Sequence, residues 1–174
     1  DPPYDSKSVP LYKGLATLAS RILEPGGSLI CYCGHRLIRK VIEQFDDTGL
    51  TFYWLAACIH TGQSVTLRTG EKVTWKPMLW FVKGPERKNN GSLVEDSVVS
   101  EPSGKDHHEW EQGAAEAIYY IDKLTQHGDL VVDPFCGGGT TAVAADQLRR
   151  RCFTCDIEES CVQTAKERLR DSRP

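Results

Sequence analysis

The sequence predicts an α/β fold, with a sheet that is mostly parallel and carries an antiparallel edge pair. Three observations lead there. Short apolar runs alternate with stretches in which apolar residues recur every three or four positions. The apolar run at 130–132 leads into Gly137-Gly138-Gly139 and then a helical stretch, the arrangement by which a parallel sheet brings bare backbone up to a ligand. Two strand-like runs, at 50–59 and 73–82, follow one another with no helical stretch between them and supply the antiparallel pair.

The elements follow in order. Leu11, Leu15, Leu18 and Ile22 recur at steps of three and four, predicting a helix over 9–23 that Glu24-Pro25-Gly26-Gly27 stops. Residues 28–33, SLICYC, read as a strand buried on both faces, and 36–45 return to helical spacing. The run at 73–82 holds Trp75, Trp80 and Phe81, with Pro77 marking an edge or a bulge. Between 83 and 106 the composition turns to Gly, Pro, Ser, Asn and charge without periodicity, predicting a mobile loop within one domain. A helix over 114–124, a strand at 130–132, a helix over 140–148, a strand over 151–157 and a helix over 159–169 complete the series.

With 174 residues, 40% of them hydrophobic and 26% charged, the chain is expected to build one sizeable core as a single domain. No apolar stretch approaches the roughly 20 residues that span a bilayer, and the first residues lack a signal peptide's pattern, so a cytoplasmic protein with no membrane association is expected. The seven cysteines are odd in number and several lie inside apolar runs, which suits reduced thiols. Cys152 and Cys155 form a CxxC with no second pair or suitably spaced histidines, so no metal site is expected. The net charge of -3 divides unevenly: residues 1–90 carry 12 Lys+Arg against 8 Asp+Glu, and 91–174 carry 9 against 16. A weakly basic half and an acidic half suit different partners.

Two motifs carry chemistry. In Asp1-Pro2-Pro3-Tyr4, the carboxylate offers acceptor oxygens to the hydrogens of a planar amine, and the carbonyl of a rigid Pro2 can take the second hydrogen. Tyr4 can stack on the ring bearing that amine. The same residues also make an ordinary turn. The second motif is the glycine loop with Asp156, 17 residues beyond Gly139, where a carboxylate can accept from the hydroxyls of a ribose. Its spacing is neither the dinucleotide pattern GxGxxG nor a P-loop, which needs a Lys; a nucleoside-containing cofactor or a purely structural turn remain.

Together, Asp1-Pro2-Pro3-Tyr4 and DPFCGGGTT at 133–141 resemble the amino-methylating DNA methyltransferases in their β-class motif order, where the catalytic tetrapeptide precedes the target-recognition region and the cofactor loop. LEPGGSLICYCG, WKPMLWFVKG, HGDLVVDPFCGGGTT and CDIEESCVQTAKERL resemble further segments of that family, so that the likeness covers nearly the whole chain. The resemblance implies a Rossmann-like methyltransferase sheet, here expected to lack two strands on its N-terminal side. It also implies a catalytic half over 1–60, a target-recognition and loop region over 60–106, and a cofactor half over 107–174.

The residue roles follow from the same resemblance. Asp1 and the Pro2 carbonyl would bind the target amine, Pro3 would hold the turn and Tyr4 would stack on a flipped base. Asp133, Pro134, Phe135, Gly137, Gly139 and Thr140 would form the S-adenosylmethionine pocket, with Asp156 on the ribose and Ile157 beside the adenine. His108 and Gln112 occupy the family's HPTQKP stretch, in which Gln112 replaces the Lys. The implied activity is methylation of adenine N6 in DNA, within a restriction-modification setting. The alternatives are cytosine N4, a non-catalytic cofactor- or DNA-binding remnant, or an RNA or protein substrate on a similar fold. Arg68, Lys72, Lys76 and Lys83, with Arg87 and Lys88 nearby, are the candidate DNA contacts, and Trp75 or Trp80 could support bases. Neither a restriction partner nor a dimer is specified by the residues.

Overall fold

The computed structural model describes residues 1–61, 64–88, 91–100 and 114–172. They fall into two compact units. The first comprises Asp1–Ile59, Ser64–Gly91 and Glu95–Ser97; the second comprises His60–Gln63, Ser92–Val94 and Val98–Pro174.

In the first unit, Pro10 begins the first turn of helix α1 (Val9–Ile22), where its missing N–H costs nothing. The helix buries Tyr12, Leu15, Ala16 and Ala19 on one face. Its Leu11, Leu18 and Ile22 are exposed, so the apolar spacing located the helix but only part of its inward face. Strand β1 (Ser28–Tyr32) follows, then a short turn of 3-10 helix (His35–Leu37) and α2 (Ile38–Glu43). Strands β2 (Leu50–His60) and β5 (Trp75–Lys83) flank a small antiparallel hairpin of β3 (Val65–Thr66) and β4 (Lys72–Val73).

The expected antiparallel pair is β2 with β5, in the register Ala56 opposite Met78. The other side of β5 is taken by β1, also antiparallel, with Ile30 opposite Trp80. Strand β5 is therefore interior, and residues 77–82 are buried without interruption. This corrects the reading of Pro77 as an edge or bulge marker. The residues of β1 paired with β5 end at Tyr32 opposite Met78, so Pro77 lies one step beyond that ladder. Its carbonyl still accepts the Cys33 N–H at 3.2 Å. The bulge lies instead in β2, between Phe52 and Trp54. Phe45 stacks on Phe81 with ring centroids 3.6 Å apart, joining α2's exit to the sheet.

In the second unit, α3 (Ala115–Leu124), β7 (Leu130–Asp133), α4 (Thr140–Gln147), β8 (Arg151–Thr154) and α5 (Glu159–Asp171) follow in the expected order. β7 and β8 pair in parallel, with Val131 opposite Cys152 and Asp133 opposite Thr154. The run Ala142, Val143, Ala144, Ala145 is buried, since small side chains let α4 lie close to its neighbours. Ile121, Ala144 and Ala145 form the core there, with Ala117, Ile118, Val131 and Leu148 packed on it.

The α/β class holds, with the parallel ladder in the second unit and antiparallel strands in the first. The stretch 83–106, expected to be loop, contains strand β6 (Ser97–Ser100). Backbone bonds secure it: the Ala57 N–H donates to the Asp96 carbonyl at 2.8 Å, and the Thr61 N–H to the Ser100 carbonyl at 3.3 Å. Two adjacent valines between serines are too short a run to show a strand's alternation.

Candidate active site

The tetrapeptide is held by the residues just after it. Asp5 Oδ1 accepts the backbone N–H of Lys7 at 2.7 Å and of Ser8 at 3.0 Å, while Oδ2 accepts the Ser8 hydroxyl at 2.8 Å. Those bonds make an Asx turn that passes directly into α1. They also hold the Asp5 carboxyl below its ordinary value, the Ser8 hydroxyl contributing most. Pro2 is fully buried, whereas Asp1, Pro3 and Tyr4 are exposed. A proline anchored in the protein thus presents a carboxylate and an aromatic ring to solvent, and the Tyr4 hydroxyl donates to Asp1 Oδ1.

The wall behind this turn comes from the ends of β1 and β5. A side chain at Gly34 would meet the Tyr4 carbonyl and Cβ at 3.5 and 3.6 Å, ordinary contact distances. The Lys76 ammonium lies 5.6 Å from the ring centroid of Tyr4 and 5.6 Å from that of Tyr32. His35 and Trp75 lie nearly perpendicular with ring centroids 4.6 Å apart, and burial lowers the His35 pKa, favouring the neutral ring. Cys31 and Cys33 are buried thiols, each pushed up to about 12 by burial, which removes them as nucleophiles at neutral pH.

The glycine loop of the second unit leaves the carboxyl end of the parallel pair. Asp133 Oδ1 accepts the Phe135 N–H at 3.0 Å, and the Asp133 carbonyl accepts the Cys155 N–H at 3.1 Å. Asp156 spans the loop and its own turn: Oδ2 takes the Gly137 N–H at 2.9 Å and Oδ1 the Glu158 N–H at 3.0 Å. Gly139 adopts φ +79°, and a Cβ there would lie 2.6 Å from Ala165 Cβ, so α5 packs directly on bare backbone. From the same helix, Arg168 donates to the Gly138 carbonyl at 2.6 Å and to Thr140 Oγ1 at 3.4 Å. Cys136 is buried beside Asp156 and Asp133, and burial with those carboxylates pushes its thiol up to about 11.

The structure thus joins Asp1 with Tyr4, Asp133 with Phe135, and Asp156 with Gly137. Ile157, next in sequence to Asp156, is 96% exposed. Pro134 is half-buried in the same turn. Among the basic residues, Arg68 and Lys72 are exposed around the β3–β4 hairpin, while Lys83 donates to the Leu23 carbonyl at 2.7 Å and serves the end of α1. Trp80 is buried in the sheet and Trp75 half-buried. His108 and Gln112 lie outside the described residues.

Sequence reasoning missed Asp5, Ala165 and Arg168. For Asp5 a signal existed, an Asp three residues before Ser8-Val9-Pro10 at a helix start. For Ala165 and Arg168 it did not, because which face of α5 meets the loop is decided by packing.

A glycine loop after a parallel strand and an acidic residue beyond the next strand are features of a Rossmann-like α/β fold. Residues 97–167 match the family model described as DNA methylase. That match lies in the later part of the chain, over the stretch that holds the glycine loop and Asp156. It is 23% identical over 203 residues to the type II methyltransferase M.HindIII of Haemophilus influenzae, covering 86% of this chain and 65% of the relative. To M.HpaI of Haemophilus parainfluenzae it is 27% identical over 176 residues, covering 86% and 55%. The chain therefore spans a little over half to about two-thirds of those relatives. Among solved structures, the fold matches the cytosine-N4-specific PvuII DNA methyltransferase with a TM-score of 0.78, 18% identity, and coverage of 95% of this chain and 75% of that one. It matches the M1.HpyAVI–SAM complex at 0.75 and 22%, covering 90% and 81%.

Proposed function

We propose that this protein transfers a methyl group from S-adenosylmethionine to adenine N6 in DNA, with both units forming one methyltransferase domain. The observation that carries the reading is the exposed Asp1–Tyr4 pair on a buried Pro2. An exocyclic amine is a weak nucleophile because its lone pair is delocalised into the ring. Accepting its two hydrogens at the Asp1 carboxylate and the Pro2 carbonyl favours a pyramidal nitrogen and frees that lone pair. Each carboxylate oxygen has two acceptor positions, so an amine hydrogen joins the Tyr4 hydroxyl on Asp1 instead of displacing it. Pro3 stiffens the turn, and stacking on Tyr4 returns about 1–3 kcal/mol of the cost of turning the base out of the duplex.

The glycine loop fits the cofactor. Gly137 has no heavy atom within 4 Å of where a Cβ would stand, Asp156 offers carboxylate acceptors for ribose hydroxyls, and Ile157 exposes an apolar surface for adenine. Asp133, Pro134, Phe135, Gly139 and Thr140 shape that turn, and His108 and Gln112 are the residues we assign to the methionine end. When bound, the cofactor supplies a methyl group on a positively charged sulfur. We take Arg68 and Lys72 as phosphate contacts on the hairpin, DNA as the macromolecular partner, and the cytoplasm as the location. Among the described residues no helix is long and apolar enough to cross a membrane.

The test is incorporation of label from methyl-labelled S-adenosylmethionine into unmethylated DNA by the protein and by its Asp1→Ala variant. Wild-type incorporation that falls at least 100-fold in the variant, with cofactor affinity unchanged, is expected. Equal incorporation by both would remove Asp1 from the reaction.

A further inference from the structure

Lys76 differs from Arg68 and Lys72, the exposed cations of the β3–β4 hairpin. Its residue type and its position in a basic stretch suit a phosphate contact, yet its ammonium sits 5.6 Å from each of two tyrosine rings. Arg68 and Lys72 are exposed, whereas Lys76 is half-buried on β5. A cation partly withdrawn from water is drawn to the negative face of an aromatic ring more strongly than one in bulk solvent.

The two rings have unequal freedom. Tyr32 belongs to β1, and its carbonyl accepts the hydroxyl of fully buried Tyr12 at 2.8 Å. Lys76 is itself followed by the fully buried Pro77, whose carbonyl takes the Cys33 N–H. Both are fixed to the sheet. Tyr4, by contrast, stands on an exposed turn, 38% accessible, with its hydroxyl on Asp1. A series therefore runs from the rigid sheet through Tyr32 and Lys76 to Tyr4 and Asp1.

We infer that Lys76 is a positioning residue that sets the Tyr4 ring for stacking on the target base, and is not a phosphate contact. The inference rests on the methyltransferase reading. Holding the ring from the sheet side spares Tyr4 the loss of rotamer freedom when the base arrives, so the benefit falls on the bound base and on turnover.

Two measurements test it. In the protein without DNA, the Lys76 ε-methylene resonances are expected to be shifted upfield by the two rings, and Tyr4→Leu should remove part of that shift. An unshifted resonance overturns the inference. With DNA, Lys76→Gln is expected to lower kcat/KM about ten-fold, as loss of a partly desolvated cation–π contact implies, while the slope of log affinity against log salt stays as in wild type. Lys76→Arg should recover most of the loss, because a guanidinium also stacks on aromatic faces. Lys76→Met serves the same comparison if the Gln variant does not fold. A slope reduced by about 0.9, with weakened binding and unaltered kcat, is the mark of a lost phosphate contact and overturns the inference. A wild-type protein that methylates no DNA would instead sink the methyltransferase reading, and the role inferred for Lys76 with it, while leaving the ring-current shift in place.

Discussion

The tetrapeptide and the glycine loop are both tight turns, yet they are held in different ways. Asp1–Tyr4 passes into a turn tied by Asp5 to Lys7 and Ser8, two and three residues on. The loop at 137–139 is tied by Asp156, 19 residues from Gly137, and by Arg168, 30 residues from Gly138. The first turn is fixed mainly by its own neighbours, with Lys76 added from the sheet; the second depends on the packing of an entire helix. Damage at a distance should therefore fall harder on the loop.

The largest effect is expected at Gly139. An alanine there must adopt φ +79° and place its Cβ 2.6 Å from that of Ala165, for a cost of about 3 kcal/mol from backbone strain and overlap together. Urea unfolding of Gly139→Ala should register this loss, and adding Ala165→Gly should restore part of it. An unchanged midpoint would mean that α5 does not set the loop. Next comes Arg168→Ala, which removes the donor to the Gly138 carbonyl and should cost about 1 kcal/mol, seen as faster amide exchange through the loop. Arg168→Lys should recover only part of this, since one ammonium does not reproduce the fork.

On the other side of the comparison, Asp5 should give a smaller, pH-dependent effect. Its folded pKa is lowered from 3.8, so its contribution is complete above that value and is lost as the pH falls through the lowered one. Asp5→Asn should flatten that part of the profile of urea stability against acid pH, and an unchanged profile would remove the Asp5 turn from it. Smallest is the reactivity of Cys136. With its thiol pushed up to about 11, iodoacetamide should label it slowly at pH 8 and faster as the pH approaches that value.

This difference also explains what could be read from the sequence. Helix α1, strand β1, the antiparallel partners and the β7–α4–β8–α5 succession follow from local periodicity and turn residues, and both motifs stood out because they are contiguous. The roles of Lys76 and Lys83 did not. A lysine's charge is visible in a sequence, but whether its ammonium meets solvent, a ring or the Leu23 carbonyl depends on which strand lies beside it. Pro77 was misread for the same reason: its missing N–H is a local fact, while the place where β1's pairing ends is set by strand register. Arg168 lay in a charged helix whose inward face only the loop reveals.

The most direct test of the account is to incubate the protein with methyl-labelled S-adenosylmethionine and unmethylated DNA, digest the product to nucleosides and resolve them. The account predicts label in N6-methyl-2′-deoxyadenosine. Label in the N4-methylcytosine nucleoside would retain the chemistry and change the base, and label in neither, with the cofactor bound, would contradict the account.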